Sequence, residues 1–197
     1  MDEQLQNVNA QIKTEASQIL TGKGLLEILK TFGTPHLSGS YALDLMTWKD
    51  LDIYLEADDI DEETFFALGS ILCTSFHPVK MSFRNELVAK TEGLPAGLYW
   101  GVYLGNERQG DWKIDIWMVS RAECQRMLAY VSEIKNKLTP DAVNKILEIK
   151  SKCWQDPLFR RSFSSTDIYS AVLENDVKCY KGFMEFVHKK IFSNKLS

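Results

Sequence analysis

The chain has 197 residues, of which 45% are apolar, 25% charged and 11% aromatic, and its net charge is −4. This composition excludes collagen-like, disordered and disulfide-scaffold proteins, and the length predicts one domain, or one compact domain with an appended helical part. The longest apolar run, residues 65–73, is too short to span a membrane. Residues 1–4 are polar and acidic, unlike a secretory signal, so a cytoplasmic location is expected.

The cysteines and histidines show no spacing typical of a disulfide framework or a zinc site. The cysteines are Cys73, Cys124, Cys153 and Cys179, and the histidines are His36, His77 and His188. No two cysteines form a C-x-x-C pair, so reduced thiols are expected. The histidines are scattered, and we expect them in turns or at the surface.

Charge is spread unevenly along the chain. Residues 1–63 carry 13 acids and 4 lysines, whereas residues 178–197 carry five lysines and one glutamate. The acidic front half argues against general nucleic-acid binding and suits a cationic ligand or carboxylate-held metal ions. We interpret the acids of residues 56–63 as a solvated loop and the first turn of a helix, and the basic tail as a solvated helix face.

In chain order, the hydrophobic periodicity first predicts two amphipathic helices, over residues 5–19 and 25–32. A short strand over 36–38 then runs into Gly39, and a short helix over 41–46 is expected with Ser40 at its N-cap. The further predicted strands cover residues 51–56, 78–87, 97–104 and 111–119, with a helix over 62–76 after the first of them. The last two strands are expected to form a hairpin.

After Ser120 the periodicity is helical, apart from an irregular segment over residues 154–165 that contains Pro157. The predicted helices cover residues 122–138, 142–153, 167–173 and 178–191, and Thr139-Pro140 is a typical helix start. The sequence therefore predicts an α+β fold, with an α/β core over residues 1–119 and a helical C-terminal region over residues 120–197. That region offers a place for an acceptor pocket or for a homodimer interface, and both remain open.

Three acids stand apart from the surface ones. Asp50 and Asp52 open a strand, and the strand period of two places both carboxylates on one face, opposite Leu51 and Ile53. Asp115 lies between two isoleucines on a later strand. If the two strands are neighbours, the three carboxylates converge, and their mutual repulsion requires a divalent cation or a retained proton. Oxygen-only ligands suit Mg²⁺.

Gly39-Ser40 lies ten residues before Asp50, where a strand ends and a helix begins. Glycine allows the backbone to approach a phosphate closely, and a helix start offers free N–H groups to an anion. One element can therefore hold a phosphate chain while the next presents carboxylates to its metal.

Taken in order, Ser38-Gly39-Ser40, Asp50-Leu51-Asp52-Ile53 and Ile114-Asp115-Ile116 resemble the nucleotidyltransferase superfamily of the DNA polymerase beta type. The small bacterial aminoglycoside and lincosamide nucleotidyltransferases are the most similar members. The resemblance implies a mixed β-sheet with helices on one side, followed here by the helical C-terminal region.

The resemblance also implies an activity, in which a nucleoside monophosphate passes from an NTP, with ATP expected, to an acceptor hydroxyl with two Mg²⁺ ions. By the same resemblance, Gly39 and Ser40 would hold the triphosphate, and Asp50, Asp52 and Asp115 would bind metal. Asp115 would also accept the acceptor's proton. Asp44 departs from the family pattern, because an acid near a triphosphate is unfavourable unless it faces away.

Three functions remain open at this stage. The first is nucleotidylation of a small molecule, for which the candidate acceptor contacts are Tyr99 and Tyr103 on one strand face, Lys80, Ser82 and Arg84 on another, and Trp117. Arg84, Arg160 and Arg161 are candidate phosphate partners, although a solvated surface position is expected for each. The second is modification of a protein or RNA, as in toxin–antitoxin pairs, and the third is a non-catalytic binding module. Retention of all three acids argues against the third, and the short, non-basic chain argues against a template-dependent polymerase. No membrane partner is expected.

Overall fold

A five-stranded mixed β-sheet lies at the centre of the computed structural model, which describes residues 2–193. The strands are β1 (Thr34–Leu37), β2 (Asp50–Glu56), β3 (Lys80–Asn85), β4 (Gly97–Tyr103) and β5 (Lys113–Val119). Their order across the sheet is β1-β2-β5-β4-β3. Strands β2 and β5 run parallel, and the other neighbours are antiparallel. The predicted β4–β5 hairpin is therefore confirmed.

Helices cover the sheet and make up the C-terminal part of the chain. They are α1 (Asp2–Ser17), α2 (Leu25–Lys30), α3 (Gly39–Leu43), α4 (Glu62–Phe76), α5 (Glu86–Ala89), α6 (Arg121–Lys137), α7 (Pro140–Cys153), α8 (Ser165–Glu174) and α9 (Tyr180–Ser193). A π-helical turn, Gln18–Gly22, extends α1. The predicted α+β class, with a mixed sheet and a helical C-terminal region, is confirmed. Lys195 of the basic tail lies outside the described residues.

Several predicted boundaries differ from the structure by a few residues, and two of these differences have a clear local cause. Helix α3 begins at Gly39 with Ser38, not Ser40, at the N-cap, because the positive φ of Gly39 (56°) turns the chain out of the extended conformation of Ser38. Strand β3 ends at Asn85 instead of continuing to residue 87. The Asn85 side chain accepts hydrogen bonds from the next backbone N–H groups and thereby starts α5.

One face of the sheet forms the main hydrophobic core. Leu51, Ile53 and Leu55 of β2 have no exposed surface, and the inward side chains of β4 and β5 continue the same face. Helices α1, α2 and α4 pack onto it. The opposite face of β2 carries Asp50 and Asp52, so the alternation that fills the core also sets the two carboxylates on the other side.

A second core lies among the C-terminal helices. Its residues come from α6 to α9, from Phe159 and Phe163 in the irregular segment before α8, and from Leu43 and Leu45 around α3. Helix α1 also contacts α7. A domain boundary at residue 119 and a homodimer interface on these helices stay predictions. Within residues 2–193, no helix has the length and apolar content needed to cross a bilayer.

Substitution of Gly69 by Ala is expected to lower the free energy of unfolding. Gly69 lies in α4, where alanine normally adds about 1 kcal/mol of helix stability. Here a Cβ would stand 2.8 Å from the Trp100 ring, which Phe65 holds in place by accepting a hydrogen bond from its indole N–H. Overpacking of this kind costs roughly 1–3 kcal/mol. Urea unfolding measures the effect, with the exposed Ser70→Ala as control, and a more stable Gly69→Ala would contradict the packing described.

Candidate active site

The structure brings Asp50, Asp52 and Asp115 together. Asp52 lies directly opposite Asp115 in the parallel β2–β5 pair, and Asp50 lies two residues before Asp52 on the same face. One carboxylate oxygen of each residue lies within 4.8 Å of the others. Asp115 is buried, and the other two carboxylates are half-buried. The register between two strands far apart in sequence therefore assembles the cluster.

Two cations and one hydroxyl already contact the cluster. Lys113 Nζ donates to Asp115 Oδ2 at 2.6 Å, and Arg160 Nη2 donates to Asp50 Oδ2 at 2.5 Å. The Tyr99 hydroxyl donates to Asp115 Oδ1 at 2.7 Å. Two positive charges thus face three carboxylates, and Asp52 is the carboxylate without a direct cationic contact among the described residues.

The donor set fits divalent cations. Burial, followed by the charges of Asp50 and Asp115, raises the pKa of Asp52 to about 7. Burial also raises the pKa of Asp115. In addition, Asp50 Oδ1 is buried without a hydrogen-bond partner in the part of the chain that the structure describes. Desolvated, mutually repelling carboxylate oxygens of this kind match the oxygen ligands that Mg²⁺ prefers.

The raised pKa of Asp52 predicts a pH-dependent stability. The Asp52 carboxyl has a pKa of about 7 in the folded state and near 3.8 in the unfolded state, so the folded state binds the proton more tightly. The contribution of Asp52 to the free energy of unfolding therefore falls as pH rises from about 4 to 7. Urea unfolding in EDTA at several pH values measures it. The wild type is expected to lose stability relative to Asp52→Asn across this window. Equal pH slopes for the two proteins would contradict the burial and repulsion described.

Gly39 allows the turn before α3 to lie against Asp52. A Cβ at this position would stand 2.0 Å from Asp52 Oδ2, and the φ of Gly39 is in the left-handed region. The Ser38 N–H donates to the Asp52 carbonyl at 2.9 Å, which fixes the turn to β2. Ser40 follows and is buried. The predicted phosphate-holding pair and the predicted metal ligands are therefore adjacent in space.

A cleft of about 250 Å³ opens in front of this turn. The sheet side contributes Ser38, Gly39, Ser40, Asp50 and Asp52 to its wall. The helical side contributes Met127, Tyr130, Val131, Arg160, Ser164, Ser165, Thr166 and Tyr169. The cleft therefore joins the carboxylates to the C-terminal helices, a proximity that no local sequence signal indicated.

Lys150 is a buried cation beside the cleft that sequence reasoning missed. Its Nζ lies 3.3 Å from the Tyr169 hydroxyl and 4.5 Å from the centre of the Trp48 ring. Burial lowers its pKa to about 7, against the opposing charges of Asp50 and Asp52. A signal was present, because Lys150 falls on the apolar stripe of α7, next to Ile149 and within one turn of Ile146.

A second cavity, of about 420 Å³, is lined by Asp115 and shares Tyr54, Met127 and Arg160 with the cleft. Its wall includes Tyr99 and Trp117, whose ring centroids are 4.8 Å apart, and also Arg84. Tyr99, Trp117 and Arg84 therefore lie around one cavity that reaches Asp115, whereas the other candidate acceptor contacts, Tyr103, Lys80 and Ser82, do not line it.

Asp44 does not face the cleft. Its carboxylate is paired with Lys13 at 2.8 Å and accepts a hydrogen bond from Asn9 of α1. The left-handed φ of Asp44 (61°) turns the chain at the end of α3. Asp44 therefore lies away from the turn that would hold a triphosphate, and the two negative charges would not meet.

Comparisons with known proteins add a likeness of fold. No family model and no curated protein sequence matches the chain. A solved structure of a cytoplasmic RNA terminal U-transferase matches it with a TM-score of 0.54 at 14% sequence identity, over 87% of this chain and 50% of that one. The likeness shows that the chain shares the α+β fold of the matched half of that U-transferase. The chain spans about half the length of that U-transferase, and the predicted likeness to aminoglycoside and lincosamide enzymes stays a prediction.

Proposed function

We propose that the chain is a Mg²⁺-dependent nucleotidyltransferase that moves a nucleoside monophosphate from an NTP to a hydroxyl of a small molecule. ATP is the expected donor, and an aminoglycoside- or lincosamide-like compound is the expected acceptor class. The observation that supports this most strongly is the meeting of Asp50, Asp52 and Asp115 beside the Gly39 turn, at the mouth of a cleft.

The three aspartates would hold two Mg²⁺ ions, which when bound supply the positive charge that stabilises an in-line phosphoryl displacement. Asp115 is suited to take the proton of the acceptor hydroxyl, because its pKa is raised and it faces the second cavity. Tyr99 orients that carboxylate through its hydroxyl. Lys113 and Arg160 balance part of the cluster's charge in the metal-free protein.

The nucleotide would occupy the 250 Å³ cleft. The Gly39–Ser40 turn would lie along the triphosphate, and the hydroxyls of Ser165 and Thr166 would face it from α8. Lys150 lies behind Tyr169 on the same side, and a bound triphosphate would favour its charged form. The apolar walls formed by Met127 and Val131 would cover the base or sugar.

The acceptor cavity supports a small molecule over a nucleic-acid backbone. Its size is within the range of small-molecule sites. Two of its three cations are paired with acids outside the metal cluster, Arg84 with Glu86 and Arg160 with Glu107. Cations neutralised in this way offer little to a phosphate backbone.

Modification of RNA or of a protein partner, as in toxin–antitoxin pairs, is the second candidate. The RNA U-transferase with the same fold favours it. The net charge of −4 does not favour it.

Replacement of Lys150 by Met is expected to raise the free energy of unfolding and to weaken nucleotide binding. The folded state binds the Lys150 proton less tightly than the unfolded state does, so burying this amine costs stability at pH 8, and Met should raise the free energy of unfolding. The KM for the NTP should rise at least about tenfold, since the triphosphate would draw Lys150 into its charged form, and a loss of about 1.4 kcal/mol of attraction corresponds to tenfold. The exposed Lys152→Met is the control, and an unchanged KM would exclude Lys150 from nucleotide binding.

The proposed function is tested by incubating the protein with each α-labelled NTP, Mg²⁺ and a pooled library of hydroxylated small molecules, and separately with cellular RNA and protein. Label from ATP on a small molecule is the expected result. Label on RNA or protein would refute the small-molecule acceptor and support the second candidate function. No label and no NTP binding by calorimetry would mean a non-catalytic binding module.

A further inference from the structure

A second cluster of metal-ligating side chains lies at the far end of β2. The side chains of Asp52, Tyr54 and Glu56 alternate along one face of this strand, so Glu56 is about 13 Å from Asp52 at 3.3 Å per residue. The antiparallel pairing of β1 places His36 opposite Tyr54, and the first turn of α6 places Cys124 next to both. One nitrogen, one oxygen and one sulfur of His36, Glu56 and Cys124 lie within 4.8 Å of one another.

The contacts inside the protein leave these donor atoms available. His36 Nε2 is buried and lies 3.2 Å from Glu56 Oε2, yet it has no hydrogen bond of acceptable geometry to any described residue. Cys124 is a free thiol with no exposed surface. The other oxygen of Glu56 has one loose contact, with Arg121 Nε at 3.5 Å.

We propose that His36, Glu56 and Cys124 form a second metal site, separate from the three aspartates, that takes a borderline-soft divalent cation such as Zn²⁺. One imidazole nitrogen, one carboxylate oxygen and one thiolate sulfur make a three-ligand set that Zn²⁺ accepts, with a water completing the tetrahedron. A thiolate discriminates against Mg²⁺, which prefers oxygen ligands. The two clusters on this face therefore select different metals.

Binding at this site is a simple exchange of a proton for the cation. Cys124 is a free, buried thiol until the cation arrives. The thiol proton then leaves to solvent, and the sulfur keeps its electron pair to bond the metal. The site is then neutral, because the Glu56 carboxylate and the Cys124 thiolate balance the divalent cation and His36 binds it as a neutral imidazole. A neutral site is compatible with partial burial. The bound ion would join β1, β2 and α6.

Co²⁺ titration of the whole purified chain tests the proposal, because a Co²⁺–thiolate bond gives a charge-transfer absorption band that oxygen-only sites lack. We expect this band to saturate at one equivalent and to persist in Asp52→Asn. Zn²⁺ should displace the Co²⁺. His36→Gln keeps the side chain's size and polarity at a half-buried position, and it should weaken Zn²⁺ binding at least about 100-fold, since even outer-shell changes cost 10–100-fold.

Cys124→Ser should abolish the band, and Cys153→Ser, which changes another buried thiol, should leave it intact. His77→Gln is the matched control for His36→Gln. Circular dichroism establishes that each variant is folded, and if Cys124→Ser does not fold, the His36→Gln affinity decides. No thiolate band at excess Co²⁺, a band lost in Cys153→Ser, or an unchanged Zn²⁺ affinity in His36→Gln would each overturn the site.

Discussion

Asp52→Asn is expected to reduce nucleotidyl transfer at least about a thousandfold without unfolding the protein. The substitution keeps the shape of the side chain and removes the charge that would hold metal. Metal-ion stabilisation of a phosphoryl transition state contributes several kcal/mol, and about 4 kcal/mol corresponds to a thousandfold in rate. The same change relieves repulsion from Asp50 and Asp115, so the Tm in EDTA should stay the same or rise.

Asp50→Asn should behave in the same way in the transfer assay, because Asp50 lies on the same face of β2. Asp59→Asn is the matched control, since Asp59 is an exposed carboxylate in the loop before α4 and should leave turnover unchanged. Full turnover by Asp52→Asn or by Asp50→Asn would refute the assignment of that residue as a metal ligand.

Gly39→Ala is expected to lower kcat/KM for the NTP at least about 100-fold. A Cβ at residue 39 would overlap Asp52 Oδ2, at 2.0 Å, so either the turn or the carboxylate must move. A displacement of about 1 Å at a reacting centre can cost 100-fold in rate. Steady-state kinetics with ATP and Mg²⁺ measure the change.

Gly24→Ala separates this effect from backbone strain. Gly24 also has a positive φ, of 74°, but a Cβ there would contact nothing within 4 Å. Both substitutions should cost stability of about 1–2 kcal/mol, the price of a left-handed residue with a side chain, and only Gly39→Ala should lose activity. Equal kinetics for the two variants would show that the Gly39 turn does not lie on the nucleotide.

The sequence was sufficient to predict the face on which each acid lies. Asp50 and Asp52 alternate with Leu51 and Ile53, and the strand period of two places the two carboxylates on one face and the two apolar side chains on the other. It was not sufficient to predict that Asp52 pairs with Asp115, because strand register is a long-range property that depends on how β2 and β5 pack on the same helices. The assembled cluster therefore required the structure.

Arg160 was a candidate phosphate partner from the sequence, but its contact with Asp50 was not predicted. Arg160 reaches Asp50 across 110 positions of sequence, and no local periodicity predicts such a contact. Lys150 did carry a signal, a charged residue on an apolar helix stripe, which usually means a solvated edge. The His36 site was missed because its three ligands come from three separate elements.

The most direct test of the account is a crystal structure with Mn²⁺ and a non-hydrolysable ATP analogue, in which anomalous scattering locates the metal. We expect Mn²⁺ bound to Asp50, Asp52 and Asp115, with the triphosphate along Gly39 and Ser40. A nucleotide bound elsewhere, or Mn²⁺ absent from the three aspartates at saturating concentration, would contradict it.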